Sequence, residues 1–470
     1  MALALAALLL LVMGAGTVPL LWARFDPSNR AQADRTSARR RRRAAKDARA
    51  QANHQPQKHP PALAVSIDGD LDDWRHGRLI IPPPRILGLP RAVIGMPGFG
   101  KSVMLEREVY LAAHAGRRVA VFDGKGSDPT FAPGIVAAYL QACPTARVGL
   151  FPFQPMDIWR GNAKAIANRL LACWAFSAEA EFYAQVAALT LRLALEAPGP
   201  PVTSSTELLH RLAPGALPRM WAGHPDELAM LKGMSARIPD VALRLANLMA
   251  ALGGSMDSGW SFEDVDLAVV SVPTMAATKD ADAILRILLV DYGHYTLMRK
   301  RPGEQDTLVF DEFSAIEGGR QAAIHLVERA RGSGSGTILA AQSRRALGGE
   351  EEAARILHAC SGGVTLFRSA EPEDVARLAG DRWVQDTTWQ LQDGQLTGRS
   401  ATTLRTHPKL DSNHVRAYQP GEAAIIEGGR VEHVHIIRTD HSSEALQRAD
   451  QIMSAAQLSE GSTTSLSAAP

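Results

Sequence analysis

Eight consecutive residues, Gly95-Met-Pro-Gly-Phe-Gly-Lys-Ser102, have the types and spacing to hold a polyphosphate. They match G-x-x-x-x-G-K-[ST] at every fixed position. Gly95, Gly98 and Gly100 leave room for backbone N–H groups to curl around the α- and β-phosphates of ATP. Lys101 supplies a reaching positive charge, and the Ser102 hydroxyl is a ligand for Mg²⁺. A second acidic element lies downstream, Leu308-Val-Phe-Asp-Glu312, an apolar run that ends in two carboxylates. Asp311 is placed to hold Mg²⁺, and Glu312 to act as general base on an attacking water. Thr337-Ile-Leu-Ala-Ala-Gln-Ser343 ends another apolar run in an amide, so Gln342 can sense the γ-phosphate. Arg329 and Arg331 precede it as candidate arginine fingers for a neighbouring subunit's phosphate. Val121-Phe-Asp-Gly-Lys-Gly126 adds Asp123 and Lys125 at a further strand end, where open parallel sheets gather functional groups.

The elements that position these residues are legible around them. Arg91–Ile94 reads as a strand and Ser102–Ala115 as a helix closed by Gly116, so the helix N-terminus points at the phosphates. Further short, continuous apolar runs lie at 118–122, 267–272, 307–310, 337–340 and 363–367. Such runs suit strands buried on both faces, hence a mostly parallel sheet covered by helices. The fold class expected is α/β, a P-loop domain with an inserted all-alpha domain and an N-terminal transmembrane helix. Residues 63–154 and 263–440 compose the ATPase domain. Residues 155–262, rich in Ala, Leu and Arg with Pro-rich breaks, compose the insertion. Residues 441–470 carry one short amphipathic helix and then a mostly disordered tail.

Composition sets the compartment. Ala2–Ala23 contains no charged residue and is long enough to span ~30 Å of hydrocarbon. Residues 24–58 carry eleven Lys and Arg against three Asp, a local charge of +8 within a chain whose net charge is +2. The positive-inside rule therefore sets residues 1–23 as a single-pass anchor in a bacterial inner or plasma membrane, with residues 24–62 as a basic juxtamembrane linker and the body in the cytoplasm. The charge follows the apolar run, whereas a cleaved signal peptide wants it before. Cys143, Cys173 and Cys360 are scattered and build neither a disulfide framework nor a zinc site.

The order of these features — membrane helix, phosphate loop, D-x-K-G strand end, helical insertion, F-D-E-F, R-G-S-G, A-A-Q-S — resembles the TraD/TraG-like coupling proteins of type IV secretion and bacterial conjugation, a branch of the FtsK–HerA superfamily. The resemblance covers residues 85–440. It implies a RecA-like P-loop motor domain with an inserted all-alpha domain, assembled as a homo-hexameric, ATP-driven DNA translocase with DNA in a central pore, delivering a relaxase or other protein–DNA substrate to secretion-channel components. Lys101, Ser102, Asp311, Glu312 and Gln342 match the family's motor positions; the arginine finger does not transfer by position. Family members commonly carry two membrane helices where this chain shows one. An FtsK-like double-stranded DNA pump and a non-catalytic substrate-docking platform are the alternative readings.

Overall fold

The computed structural model describes residues 61–67, 77–126, 128–174, 181–252, 254–272, 278–392 and 395–466. The expected anchor over 1–23, and the linker save its last two residues, lie outside the described residues. Among the described residues no helix is long and apolar enough to cross a membrane.

In chain order the strands are β1 (Ala64–Ser66), β2 (Leu79–Ile80), β3 (Pro90–Ile94), β4 (Arg118–Asp123), β5 (Val148–Phe151), β6 (Leu267–Ser271), β7 (Asp306–Asp311), β8 (Ser335–Ala341), β9 (Val364–Phe367), β10 (Asp381–Gln392), β11 (Gln395–Pro408), β12 (Glu422–Glu427) and β13 (Arg430–Ile436). The chain divides into two compact units. The smaller holds β1, β2 and most of β13. Here β1 pairs antiparallel with both, setting Ala64 opposite Ile436 and Ile80. Ala62, Val65 and Ile437 form its apolar centre.

The larger unit holds a sheet in the order β12-β9-β3-β8-β7-β4-β6-β5. Its pairs from β9 to β5 are parallel, and β12 closes the β9 edge antiparallel. The central strands β3, β7 and β8 are buried at every position, as continuous apolar runs covered on both faces must be. Helices α1 (Lys101–His114) and α2 (Phe131–Ala142) follow β3 and β4.

Between β5 and β6 the named elements are all helices: α3 (Ala163–Leu171), α4 (Glu181–Leu195), α5 (Ser205–Leu212), α6 (Ala216–Met220), α7 (Pro225–Met234) and α8 (Ile238–Leu252). The Asn162 and Ser204 side chains cap α3 and α5 by accepting first-turn N–H groups. The segment leaves and returns at one point. A bridge joins Met156 to Trp260, and Asp157 N–H donates to Trp260 O over 2.9 Å. Gly259 turns the chain there with φ +118°; a Cβ would lie 1.9 Å from Pro155 O. These helices share one apolar core with the sheet, and a buried ion pair, Arg169–Asp291 at 3.1 Å, ties α3 to the helix that follows β6.

That helix is α9 (Thr278–His294), extended by a π-helical turn, Tyr295–Arg299. After β7 come α10 (Arg320–Arg329) and, after β8, α11 (Glu350–Ala359). Two features depart from the sequence reading. The C-terminal helix α12 (Ser443–Leu466) spans 24 residues, well beyond the short helix expected before the tail. It packs on α2, and Ser442 N–H donates to Gln141 Oε1 over 2.8 Å. Second, β10 and β11 form a long antiparallel hairpin of their own, which the strand pattern did not announce.

Candidate functional site

Strand β3 delivers the phosphate loop directly into α1. Positive φ angles of 80° at Gly98 and 107° at Gly100 make the turn, in the left-handed region that favours glycine. Gly95 is needed for a different reason: a Cβ would approach Phe367 Cβ to 2.4 Å, because β9 runs beside β3. Gly100 is the N-cap of α1, and no side chain caps that end. The first-turn N–H groups therefore form a donor set for an anion, reinforced by the helix dipole. Lys101 is 8% exposed, and its ammonium donates to Gly95 O over 2.6 Å and Met96 O over 3.2 Å. Burial lowers its pKa, opposed by the charges of Glu312 and Asp311.

The parallel register places Asp123 at the end of β4 opposite Asp311 at the end of β7. Two buried carboxylates side by side repel each other, and burial disfavours their charge, so each holds a proton more tightly. Asp311 is 8% exposed, and its pKa is pushed up to about 6, first by burial, then by Asp123 and Glu312. The pKa of Asp123 is also raised by burial, against the backbone bonds it accepts. Its Oδ1 takes the N–H groups of Gly126 at 2.9 Å and Lys125 at 3.0 Å, folding the turn after β4. Lys125 is exposed and adds a cation whose charge lowers the pKa of Asp311.

Glu312 has φ +56°, uncommon for a residue with a side chain. Its carboxylate accepts two hydrogen bonds, Ser314 Oγ to Oε1 at 2.7 Å and Gln342 Nε2 to Oε2 at 2.8 Å. Gly95 N–H donates to Ala341 O over 3.1 Å, so the end of β8 meets the start of the loop. The fold thus brings Gly95, Gly98, Gly100, Lys101, Ser102, Asp123, Asp311, Glu312 and Gln342 to the carboxyl ends of adjacent parallel strands, where open α/β sheets bind ligands. This donor set fits a nucleotide with Mg²⁺: uncapped helix N–H groups and a lysine for phosphate, a hydroxyl and a carboxylate for the metal.

The arginines are placed differently. Arg329 is exposed at the C-terminal end of α10, about 13 Å along that helix from Arg320 at 1.5 Å per residue. It lines an apolar groove beside α9. The side chain of Arg331 lies outside the described residues. The sequence reading missed Arg368, whose guanidinium stacks over the Phe99 ring of the loop at 5.1 Å, while its carbonyl accepts Met96 N–H at 2.8 Å. Only the β3–β9 pairing brings it there.

Solved structures share this fold. The bacterial conjugative coupling protein TrwBdeltaN70, unbound, is similar with a TM-score of 0.55 at 16% identity, over 77% of this chain and 87% of that one. Plasmid coupling protein TrwB in complex with ADP and Mg²⁺ gives 0.54 at 15% identity, over 78% and 90%. VirB4 of Thermoanaerobacter pseudethanolicus gives 0.50 at 14% identity, over 82% and 98%. No protein-family model and no curated protein sequence matches the chain. At these identities the likeness carries the fold, a mixed α/β architecture around a large parallel sheet. The family to which the motif order points thus has members with this same fold.

Proposed function

We propose that this chain is a membrane-anchored ATPase of the conjugative coupling type, which moves DNA or a protein–DNA substrate towards a type IV secretion channel. The observation that carries this reading is the convergence of Lys101, Asp311, Glu312 and Gln342 at the N-terminus of α1, drawn from the ends of two parallel strands and the phosphate loop. The fold shared with TrwB supports it, and TrwB is known in complex with ADP and Mg²⁺.

In this reading the N–H groups of the loop and first turn of α1 bind the phosphates, joined by Lys101. Ser102 and Asp311 hold Mg²⁺, with Asp123 and Lys125 shaping the charge around them. Bound Mg²⁺ supplies neutralisation of the developing phosphate charge. Glu312 takes the proton from the attacking water at its carboxylate. Ser314 and Gln342 orient that carboxylate, so Gln342 couples the end of β8 to the base. Residues 155–262 serve as an all-alpha domain inserted in the motor, and residues 1–23 as the membrane anchor. Arg329 or Arg331 acts in trans within a homo-hexamer, as an arginine finger on a neighbouring subunit's phosphate. Phosphate release by the full chain, with and without DNA, tests the reading: hydrolysis that DNA stimulates supports it. A wild-type chain that binds ATP without turning it over would point instead to a docking platform.

A further inference from the structure

We propose that the β10–β11 hairpin of one copy seats its apolar face in the groove between α9 and α10 of a neighbouring copy. The starting point is the hairpin's isolation. It is a two-stranded sheet by itself, and no other described element packs broadly against it. A lone hairpin in water is marginal at best, so a surface that covers one face is expected. The register shows which face. Trp383 stands opposite Thr406 and Gln385 opposite Leu404, so Trp383 and Leu404 are diagonal neighbours on one side. Both are open, Trp383 at 70% and Leu404 at 56% exposure. The opposite side is occupied by its own ion pairs, Asp386 with His407 at 3.3 Å and with Arg405 at 3.9 Å.

The groove is the complementary surface. It is a cavity of about 470 Å³ lined by Leu289, Gly293, Leu297, Met298, Leu326 and Arg329, with no acidic residue among the described residues of its lining. Met298 is 79% exposed and Leu297 56%, both held outward on the π-helical turn that ends α9. Such turns are rare and frequent at functional positions. Charge selects the occupant. On the apolar side of the hairpin, the described charge is Asp381, paired with Pro408 in the register. Arg329 is exposed on the rim of the groove. An acid beside an exposed indole disfavours a nucleic-acid phosphate there and suits that arginine. Hairpin and groove are different patches of the same molecule, so the contact is head-to-tail and propagates from copy to copy until the ring closes. This inference deepens the proposed hexamer and rests on that assembly. It also gives Arg329 a structural place at the interface.

The test is cysteine cross-linking of the full chain in detergent, with neither ATP nor DNA added. Chains carrying Trp383→Cys are mixed with chains carrying Met298→Cys and oxidised. A disulfide-linked dimer containing the 383–298 peptide pair, formed in the mixture and absent from each variant alone, is the expected result. Separately, Trp383→Asp and Met298→Asp should each weaken self-association roughly thirty-fold by sedimentation, the size of losing one aromatic anchor, with unchanged unfolding midpoints. Absence of the mixed cross-link overturns the proposal. So does unchanged sedimentation of both aspartate variants, whether or not Trp383→Asp loses single-stranded DNA binding. Because the readout needs no hydrolysis, failure of the motor reading leaves the contact independently measurable.

Discussion

Asp311 lets the electrostatics of the site be tested without turnover. Its pKa stands at about 6 against an ordinary 3.8, because burial and the neighbouring Asp123 and Glu312 disfavour the charged form. A rise of roughly 2 units corresponds to about 3 kcal/mol at 1.36 kcal/mol per unit. The folded state therefore holds this proton more tightly than the unfolded chain does. Below about pH 4 the carboxyl is protonated in both states and costs nothing. Between about pH 4 and 6 the unfolded chain releases the proton first, and stability falls as pH rises. Above about pH 6 the full cost is present. Asp311→Asn keeps the shape and removes the charge. Without nucleotide or metal, the variant should be more stable than the wild type by up to about 3 kcal/mol at pH 8, and equal to it near pH 4. Guanidinium unfolding in a chelator at a series of pH values measures this difference. Mg²⁺ with nucleotide should stabilise the wild type more than the variant. A stability difference that does not change with pH, or a variant less stable at pH 8, would refute the crowding of carboxylates on which the metal role of Asp311 rests.

Other outcomes follow from the same geometry. Lys101→Ala should abolish hydrolysis and weaken nucleotide binding, measured by phosphate release and a fluorescent analogue, because it removes the charge held at the loop carbonyls. Glu312→Gln should still bind nucleotide yet turn over roughly 10²–10⁴-fold more slowly, since the base alone is lost. If an arginine acts in trans, mixing Lys101→Ala chains with chains lacking Arg329 and Arg331 should restore part of the activity, read as phosphate release against mixing ratio. A C-terminal reporter should be active on the cytoplasmic side if residues 1–23 anchor the chain as their flanking charge directs.

The strands of the parallel sheet were legible because burial on both faces makes each a continuous apolar run; Arg118–Phe122 and Thr307–Phe310 lie wholly within β4 and β7. The hairpin was not legible, because Trp383-Val-Gln-Asp-Thr-Thr-Trp-Gln-Leu-Gln392 has no core of its own to bury and mixes polar with apolar residues. β5 was missed because Gly149 interrupts the apolar run of Val148–Phe151 and Pro152 ends it. At the site, the phosphate loop was readable because its ligands are consecutive. Asp123 was readable as a strand-end acid, but its hold on the Lys125 and Gly126 amides is a backbone geometry that spacing does not encode. Positive φ at Glu312 and the stacking of Arg368 on Phe99 were likewise hidden, since each depends on tertiary pairing.

The central claim is that these residues hydrolyse ATP to drive DNA. Single-turnover and steady-state phosphate release by the full chain, wild type beside Glu312→Gln, with and without DNA, tests it most directly. The account predicts turnover that DNA accelerates in the wild type, and bound but uncleaved ATP in the variant. Equal turnover by the two proteins, or no nucleotide bound by the wild type, would contradict it.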